Sequence, residues 1–310
     1  MACPRYAAWG CVVSGLPAPL PPPGAPGSAE WSRRMTASKV AGVLGLSKWA
    51  SPYSTWLRMK GLLPSDDGRN MADKARGHYL EDGVVRWWVD MHPGVSVDAT
   101  QREWVKDEWA AATPDADGEL DGERFVLDVK TADDMDDWGD EPPAYYLAQL
   151  HWQMWCAEAD VAYIAVIFGR PHFGFREWRV ERDDGLMAGI VGACREFYDS
   201  LAQDDPPPLD MSVATYEAIR RQHPDIDRDA EASLTPEQAA EFVAADLAQK
   251  AAEDRARLAK STVLQAMGRA RIAKCGSRVV ARRQPNKSGV SLVRVAKTPD
   301  FPLPESEPAA

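Results

Sequence analysis

The sequence predicts a mixed α/β chain of the α+β kind, with a central mixed sheet flanked by helices and a C-terminal helical and β-hairpin appendage. Three observations carry that expectation. Helix signals fill residues 36–91, and the apolar period then shifts toward two after Pro93-Gly94. A continuous apolar run, 161–168, follows an aromatic-rich helical stretch and reads as a buried strand. Behind Pro206-Pro207-Pro208 the composition turns Ala-rich and charged.

The elements follow in order. Residues 1–29 are rich in Pro, Gly and Ala, with Pro21-Pro22-Pro23-Gly24, and are expected to be a disordered N-terminal extension. A first helix is expected over 36–46, with a hydroxyl cap and Gly45 near its end. Ser51-Pro52 opens a second by cap plus first-turn proline, and Gly61 closes it. A long helix is expected over 71–91. Strands are expected over 95–105, 109–112 and 124–131, with turn chemistry at 115–122. Pro142-Pro143 starts the helix that carries Tyr145, Tyr146, Leu150, Met154 and Trp155. Residues 173–180 should pair with 161–168 across the Gly-Arg-Pro-His turn, and 183–201 is an amphipathic helix. Thr235-Pro236-Glu237-Gln238 has the form of a capping box, opening a helix that could reach Met267. Segments 278–283 and 289–295 alternate as a short hairpin. The expected domains are thus a core over 30–205, a helical and basic appendage over 206–300, and a tail over 301–310.

Bulk properties exclude several classes. Of 310 residues, 45% are hydrophobic and 27% charged, as in ordinary globular chains, and twelve Trp suggest an aromatic core. No apolar run reaches the roughly 18 residues of a membrane helix, and Cys11-Val12-Val13 is too short for a signal peptide, so a bacterial-type cytoplasm is expected. Five cysteines, Cys3, Cys11, Cys156, Cys194 and Cys275, contain no C-x-x-C pair and indicate neither a disulfide framework nor a zinc site. A net charge of −11 argues against simple nucleic-acid binding. The charge is unevenly spread, however: residues 255–297 hold twelve Lys or Arg and no acid. That segment, with Arg269, Arg271, Lys274, Arg278, Arg282, Arg283 and Lys287, suits a DNA backbone, an acidic partner or plain solvent.

The chemistry concentrates in Phe-Val-Leu-Asp-Val-Lys-Thr, 125–131, where an acid and an amine interrupt a core strand. Alternation puts Asp128 and Lys130 on one side of that strand and Val129 on the other. One strand earlier, Thr113-Pro114-Asp115 brings a second carboxylate toward Asp128. Two converging carboxylates call for a cation, and Mg²⁺, hard and oxygen-liganded, is the natural one. A simple Asp–Lys ion pair is the plainer alternative.

Gly77-His78-Tyr79-Leu80-Glu81 lies in the helix before the sheet, and Tyr145-Tyr146-Leu147-Ala148-Gln149-Leu150-His151-Trp152-Gln153 in the helix after it. In this order (helical Glu, Pro-Asp, Asp-x-Lys, helical Gln) the chain resembles the PD-(D/E)xK nucleases, and most closely the lambda-exonuclease-like and YqaJ-type viral recombinases. The resemblance covers about residues 31–201 and implies a restriction-endonuclease-like core. It implies metal-binding roles for Asp115 and Asp128 with the Val129 carbonyl, a catalytic role for Lys130, a supporting acid in Glu81 and a glutamine approaching the centre in Gln149. It also implies that Arg33, Arg34 and Ser38 receive a DNA 5′ phosphate. The activity implied is Mg²⁺-dependent 5′-to-3′ resection of duplex DNA ends, with Mn²⁺ as a substitute metal. A homo-oligomer, trimeric in the family, and a single-strand annealing protein or recombinase as partner are implied too. A non-catalytic DNA-binding protein on the same fold, or an endonuclease, are the alternatives. Two departures stand out: Asp128 replaces the more usual Glu, and Ala116 replaces the Gly after Pro-Asp, with Gly118 two positions on. Asp117 is thereby a competing ligand. His78 and His151 have no metal spacing and suggest packing or DNA contact.

Overall fold

The computed structural model describes residues 29–63, 71–133, 135, 138–169, 174–287 and 289–294. The expected N-terminal extension, the 301–310 tail, Cys3 and Cys11, and most of the Gly-Arg-Pro-His turn lie outside these residues. The chain divides into two compact units, Met1–Ile226 and Asp227–Ala310.

The first unit begins with α1 (Ala29–Arg33), β1 (Met35–Thr36), α2 (Ala37–Val43), α3 (Pro52–Met59) and α4 (Met71–Met91). Ser51 starts α3 with a reciprocal capping box: its hydroxyl accepts from the Ser54 N–H, and the Ser54 hydroxyl oxygen accepts from the Ser51 N–H. Then come β2 (Ser96–Thr100), β3 (Trp104–Lys106), β4 (Ala110–Ala112), β5 (Ala116–Leu120), β6 (Glu123–Ala132), α5 (Ala144–Ala157), β7 (Val161–Phe168), β8 (Gly174–Glu181), α6 (Asp184–Gln203) and α7 (Val213–Gln222).

The main sheet is mixed, in the order β2-β5-β6-β7-β8. Only the β6–β7 pair is parallel, and α5 makes the crossover that a parallel pair requires. The order and sense of these strands, with helices on both faces, give the central mixed sheet flanked by helices that the sequence predicts. The β6 and β7 side chains alternate between two apolar layers. Phe125, Leu127, Val129, Tyr163, Ala165 and Ile167 pack with Val84, Val85 and Trp88 of α4. Val126, Ala162, Ile164, Val166 and Phe168 pack with Leu150, Met154 and Ala157 of α5. Asp128 and Lys130, spaced by two from Val126, share the α5 side.

Three expectations need correction. The segment 95–105 is not one strand: Gln101, at φ +53°, ends β2, and β3 pairs with β4 in a separate small sheet, β1-β4-β3. The stretch 115–122 is mostly strand β5, and only Asp121 and Gly122, both at positive φ, form the turn into β6. The triple proline is followed by a helix that remains in the first unit: α7 packs on α3, and the Thr215 and Ser51 hydroxyls lie 2.7 Å apart. The glycine that the strand pair demands is Gly118. A Cβ there would lie 1.9 Å from the Ser96 carbonyl oxygen, beside the irregularity between Val97 and Ala99. Ala116 sits fully buried opposite Leu127, where a side chain fits.

The second unit contains α8 (Pro236–Met267), opened by the Thr235–Gln238 capping box, and the antiparallel sheet β11-β10-β9. Its strands are β9 (Ile272–Cys275), β10 (Arg278–Asn286) and β11 (Gly289–Arg294). Strand β9 had no separate signal in the sequence. Among the described residues of this unit only Met267 and Ala281 are buried. Among the described residues of the chain, no helix is long and apolar enough to cross a membrane.

Candidate active site

Strand β6 carries the centre of the site. Asp128 is 3% exposed, deep enough that its charge must be answered by donors. Two amides of α5 donate to its Oδ1: Gln149 Nε2 at 2.8 Å and Gln153 Nε2 at 3.0 Å. The Lys130 ammonium forms an ion pair with Oδ2, although no hydrogen bond of good geometry reaches that buried oxygen. Gln149 and Gln153 are four apart, one above the other on the face of α5 that meets the sheet.

Asp115 stands just before β5, one place past the pairing of Ala116 with Leu127. Its Oδ2 accepts from the Val129 N–H at 2.5 Å, and its own N–H donates to the Leu127 carbonyl at 2.9 Å. Desolvation pushes its carboxyl well above the usual aspartate range. Repulsion from Asp128 and Glu81 adds to this and outweighs Lys130 and the Val129 N–H. Burial works against the Lys130 ammonium, but Asp128 and Asp115 overcome it, and the lysine is held charged above its ordinary pKa. Lys130 Nζ also lies 3.3 Å from the Val129 carbonyl oxygen and 5.5 Å from the centre of the Tyr146 ring. Tyr146 is driven by burial up to about 12, so its phenol stays neutral.

Glu81, on α4, is bonded by the Gln101 side-chain amide and has His78 Nδ1 3.9 Å away. Gln101 also donates its backbone N–H to the Asp115 carbonyl at 3.2 Å, so this one residue ties the helical acid to the strand acid. The expected set Glu81, Asp115, Asp128, Lys130 and Gln149 therefore lies in one electrostatic neighbourhood. Among the described residues, however, no three His, Cys, Asp or Glu side chains converge closely enough to hold a metal ion. The donor chemistry still fits a hard cation. Asp115 and Asp128 repel each other, Asp128 Oδ2 is held by the Lys130 ammonium alone, and the Val129 carbonyl is adjacent.

Asp117 is not placed to compete. It is 4% exposed and paired with Arg102, whose Nε lies 3.1 Å from Oδ2, with the Trp104 indole at 3.4 Å. His151 is buried, with Nδ1 2.9 Å from the Leu147 carbonyl, and belongs to the packing of α5. Of the residues expected at a 5′ phosphate, Arg33 is exposed, Arg34 reaches Glu103 at 3.3 Å, and Ser38 Oγ lies 3.2 Å from Thr36 Oγ1. Between them, Lys39 donates to the carbonyls of Trp31, Ser32 and Arg34 at 2.9, 3.0 and 2.6 Å, and burial draws its pKa down to about 7.

The sequence reading missed Gln153 and Gln101. Gln153 was within reach, since a residue four after Gln149 shares its helical face. Gln101 was not, because its role depends on a positive-φ strand end.

A Pro-Asp and an Asp-x-Lys on adjacent antiparallel strands, with a glutamate on one flanking helix and a glutamine on the other, keep the arrangement by which the chain resembles the PD-(D/E)xK nucleases. Residues 31–160 match the YqaJ-like viral recombinase domain. The chain is similar to the uncharacterized protein YqaJ of Bacillus subtilis (strain 168), at 29% identity over 212 residues. That match covers 66% of this chain and 65% of the relative, less than two thirds of the relative's own length. Among solved structures it is similar to an alkaline exonuclease, LHK-Exo, from Laribacter hongkongensis, with 21% identity and a TM-score of 0.44 over 57% of this chain and 92% of that one. It is also similar to a phage-related exonuclease from Haemophilus somnus 129PT, with 14% identity and a TM-score of 0.38 over 55% and 96%.

Proposed function

We propose that the protein is a metal-dependent deoxyribonuclease that resects duplex DNA ends, 5′ to 3′, for recombination by single-strand annealing. The observation that carries this reading is the convergence of Asp115 and Asp128 on neighbouring strands with the charged Lys130 beside them. Asp115, Asp128 and the Val129 carbonyl would hold Mg²⁺, or Mn²⁺ in its place, with Glu81 supporting. When bound, the ion supplies Lewis-acid polarisation of the phosphodiester and a lowered pKa for water. Lys130 offsets the charge that grows on the phosphoryl oxygens as water adds at phosphorus and the ester P–O bond breaks. Gln149 and Gln153 fix the orientation of Asp128, and Gln101 that of Glu81. Arg33, Arg34 and Ser38 are the proposed seat of the 5′ phosphate. A ring-forming homo-oligomer, trimeric by family likeness, an annealing protein or recombinase as partner, and action in the bacterial cytoplasm complete the proposal.

A non-catalytic DNA-binding reading draws support from the absence of a tight three-acid cluster among the described residues. One experiment separates these readings. Linear duplex, with or without a 5′ phosphate, and circular duplex are incubated with Mg²⁺, Ca²⁺ or chelator. The exonuclease reading expects Mg²⁺-dependent loss of linear DNA, faster with a 5′ phosphate, intact circles, and loss of activity in Lys130→Ala with binding retained. Cleavage of circles means an endonuclease. Indifference to metal and to Lys130 means a binding module.

A further inference from the structure

Trp49 is 63% exposed, although it stands on a short, firmly built connection between α2 and α3. The Ser47 hydroxyl accepts from the N–H groups of Trp49 and Ala50, both at 3.1 Å, and Ser51 then caps α3. Gly42, buried in α2, permits the close approach beneath: a Cβ there would meet Thr55 Oγ1 at 2.6 Å and Ala50 Cβ at 3.1 Å. The indole is therefore held out into solvent by a rigid frame.

The indole begins a line of rings that ends at the proposed active centre. Trp49 meets Tyr145 edge-on, with ring centres 5.6 Å apart and planes at 87°. Tyr145 lies 4.4 Å from Tyr146, and Lys130 Nζ lies 5.5 Å from the Tyr146 ring. Lys48 Nζ is 5.9 Å from the Tyr145 ring, so one cation lies against the middle of the line and another, Lys130, against its inner end. The two tyrosines open α5, the same helix whose Gln149 and Gln153 hold Asp128. Edge-on packing leaves indole surface uncovered, and that surface suits a flat, polarizable ring with phosphates to either side. An unpaired nucleobase in a DNA strand has that chemistry, because every base offers a π-face.

We propose that Trp49 is a stacking seat for one unpaired nucleobase of the substrate strand, aligning that strand with Lys130. This rests on the nuclease reading for the direction in which the strand runs, but not for the stacking itself.

The test uses the full chain carrying Lys130→Ala, which keeps the DNA intact, alone or combined with Trp49→Ala or Trp49→Phe. Binding is measured to a single-stranded oligonucleotide and to a duplex with a short unpaired end, each with normal or abasic residues in the unpaired part. Stacking on an aromatic side chain is worth about 1–3 kcal/mol per base, so Trp49→Ala should weaken binding of the normal oligonucleotide by about 5-fold or more. Trp49→Phe should stay near the parent, and the abasic oligonucleotide should be blind to residue 49. The proposal is overturned if Trp49→Ala binds as the parent does, or loses equally on abasic DNA. It is also overturned if the loss tracks a change in sedimentation mass or a lowered melting temperature. If residue 49 reads bases as expected while the wild type with Mg²⁺ leaves DNA uncut, the nuclease reading falls and the stacking seat stands.

Discussion

The two units of this chain solve the problem of charge in opposite ways. In the first, Asp128 is almost wholly buried, and two amides and an ammonium are spent on it. In the second, twelve basic residues occupy 255–297 with no acid among them, and nearly every described residue faces solvent. Phe242, Leu247 and Leu258 of α8 are 71%, 61% and 70% exposed. Buried charge is costly and so requires fixed partners. Exposed charge is screened within about 10 Å and requires none. The first arrangement fixes its atoms in place. The second leaves its charge open to solvent.

Substitutions can break that contrast, and they differ widely in size. The largest effect is expected from Gln153→Leu. It removes one of the two donors to Asp128 Oδ1 while preserving the apolar layer, and loss of a hydrogen bond that orients a metal-binding carboxylate costs about 10–100-fold in activity or metal affinity. Steady-state cleavage rates against Mg²⁺ concentration measure it. Equal activity in the variant would show that Gln149 alone suffices.

Gly118→Ala comes next. The added methyl meets the Ser96 backbone, not a movable side chain, so strain of about 1–3 kcal/mol is expected, read as a lower denaturant midpoint. An unchanged midpoint would mean that β2 shifts freely from β5.

Asp115→Asn tests the electrostatics of the buried site by pH. The folded carboxyl holds its proton more tightly than the ordinary aspartate at about 3.9, so the folded state binds more protons above that value. Stability should therefore fall as pH rises from about 4 through the raised pKa. The variant should lose this slope and melt higher than the parent at neutral pH. Melting temperatures at pH 4 to 8 show it, and a parallel decline in both proteins would refute it.

The smallest effects belong to the second unit. Arg282→Gln should lower the salt slope of DNA binding by about 1 if that arginine neutralises a phosphate, with no change in cleavage rate at low salt. Leu258→Ala, on the open face of α8, should change stability by less than about 0.5 kcal/mol. A large loss there would show that α8 is covered by something in solution.

Much of the first unit was legible beforehand. The bounds of α4 and β7 follow from Pro93-Gly94 and from an unbroken apolar run. The opening of α8 follows from Thr235-Pro236-Glu237-Gln238. The same-side placement of Asp128 and Lys130 follows from alternation alone. The failures cluster where the chain changes sheet. Nothing local marks Gln101 as a strand end, because a non-glycine residue at φ +53° is sustained by its partners, Asp115 and Glu81, from distant segments. Strand β5 reads as a turn in the sequence because Ala116-Asp117-Gly118 carries turn residues. Asp117 serves instead to bind Arg102, and Gly118 to admit the Ser96 backbone.

Sequence by itself determined the inventory: which acids, which lysine, which glutamine, in which order, and on which element each would ride. Those are local matters, settled by periodicity and caps. Tertiary structure decided the partnerships. It gave Asp117 to Arg102 and not to the acid pair, recruited Gln153 and Gln101, drew Lys39 inward, and set Trp49 in line with Tyr145 and Tyr146. The physical reason is that the cost of a buried charge, or the use of an exposed ring, depends on neighbours tens of residues away, and those are fixed only when the sheet and its helices close.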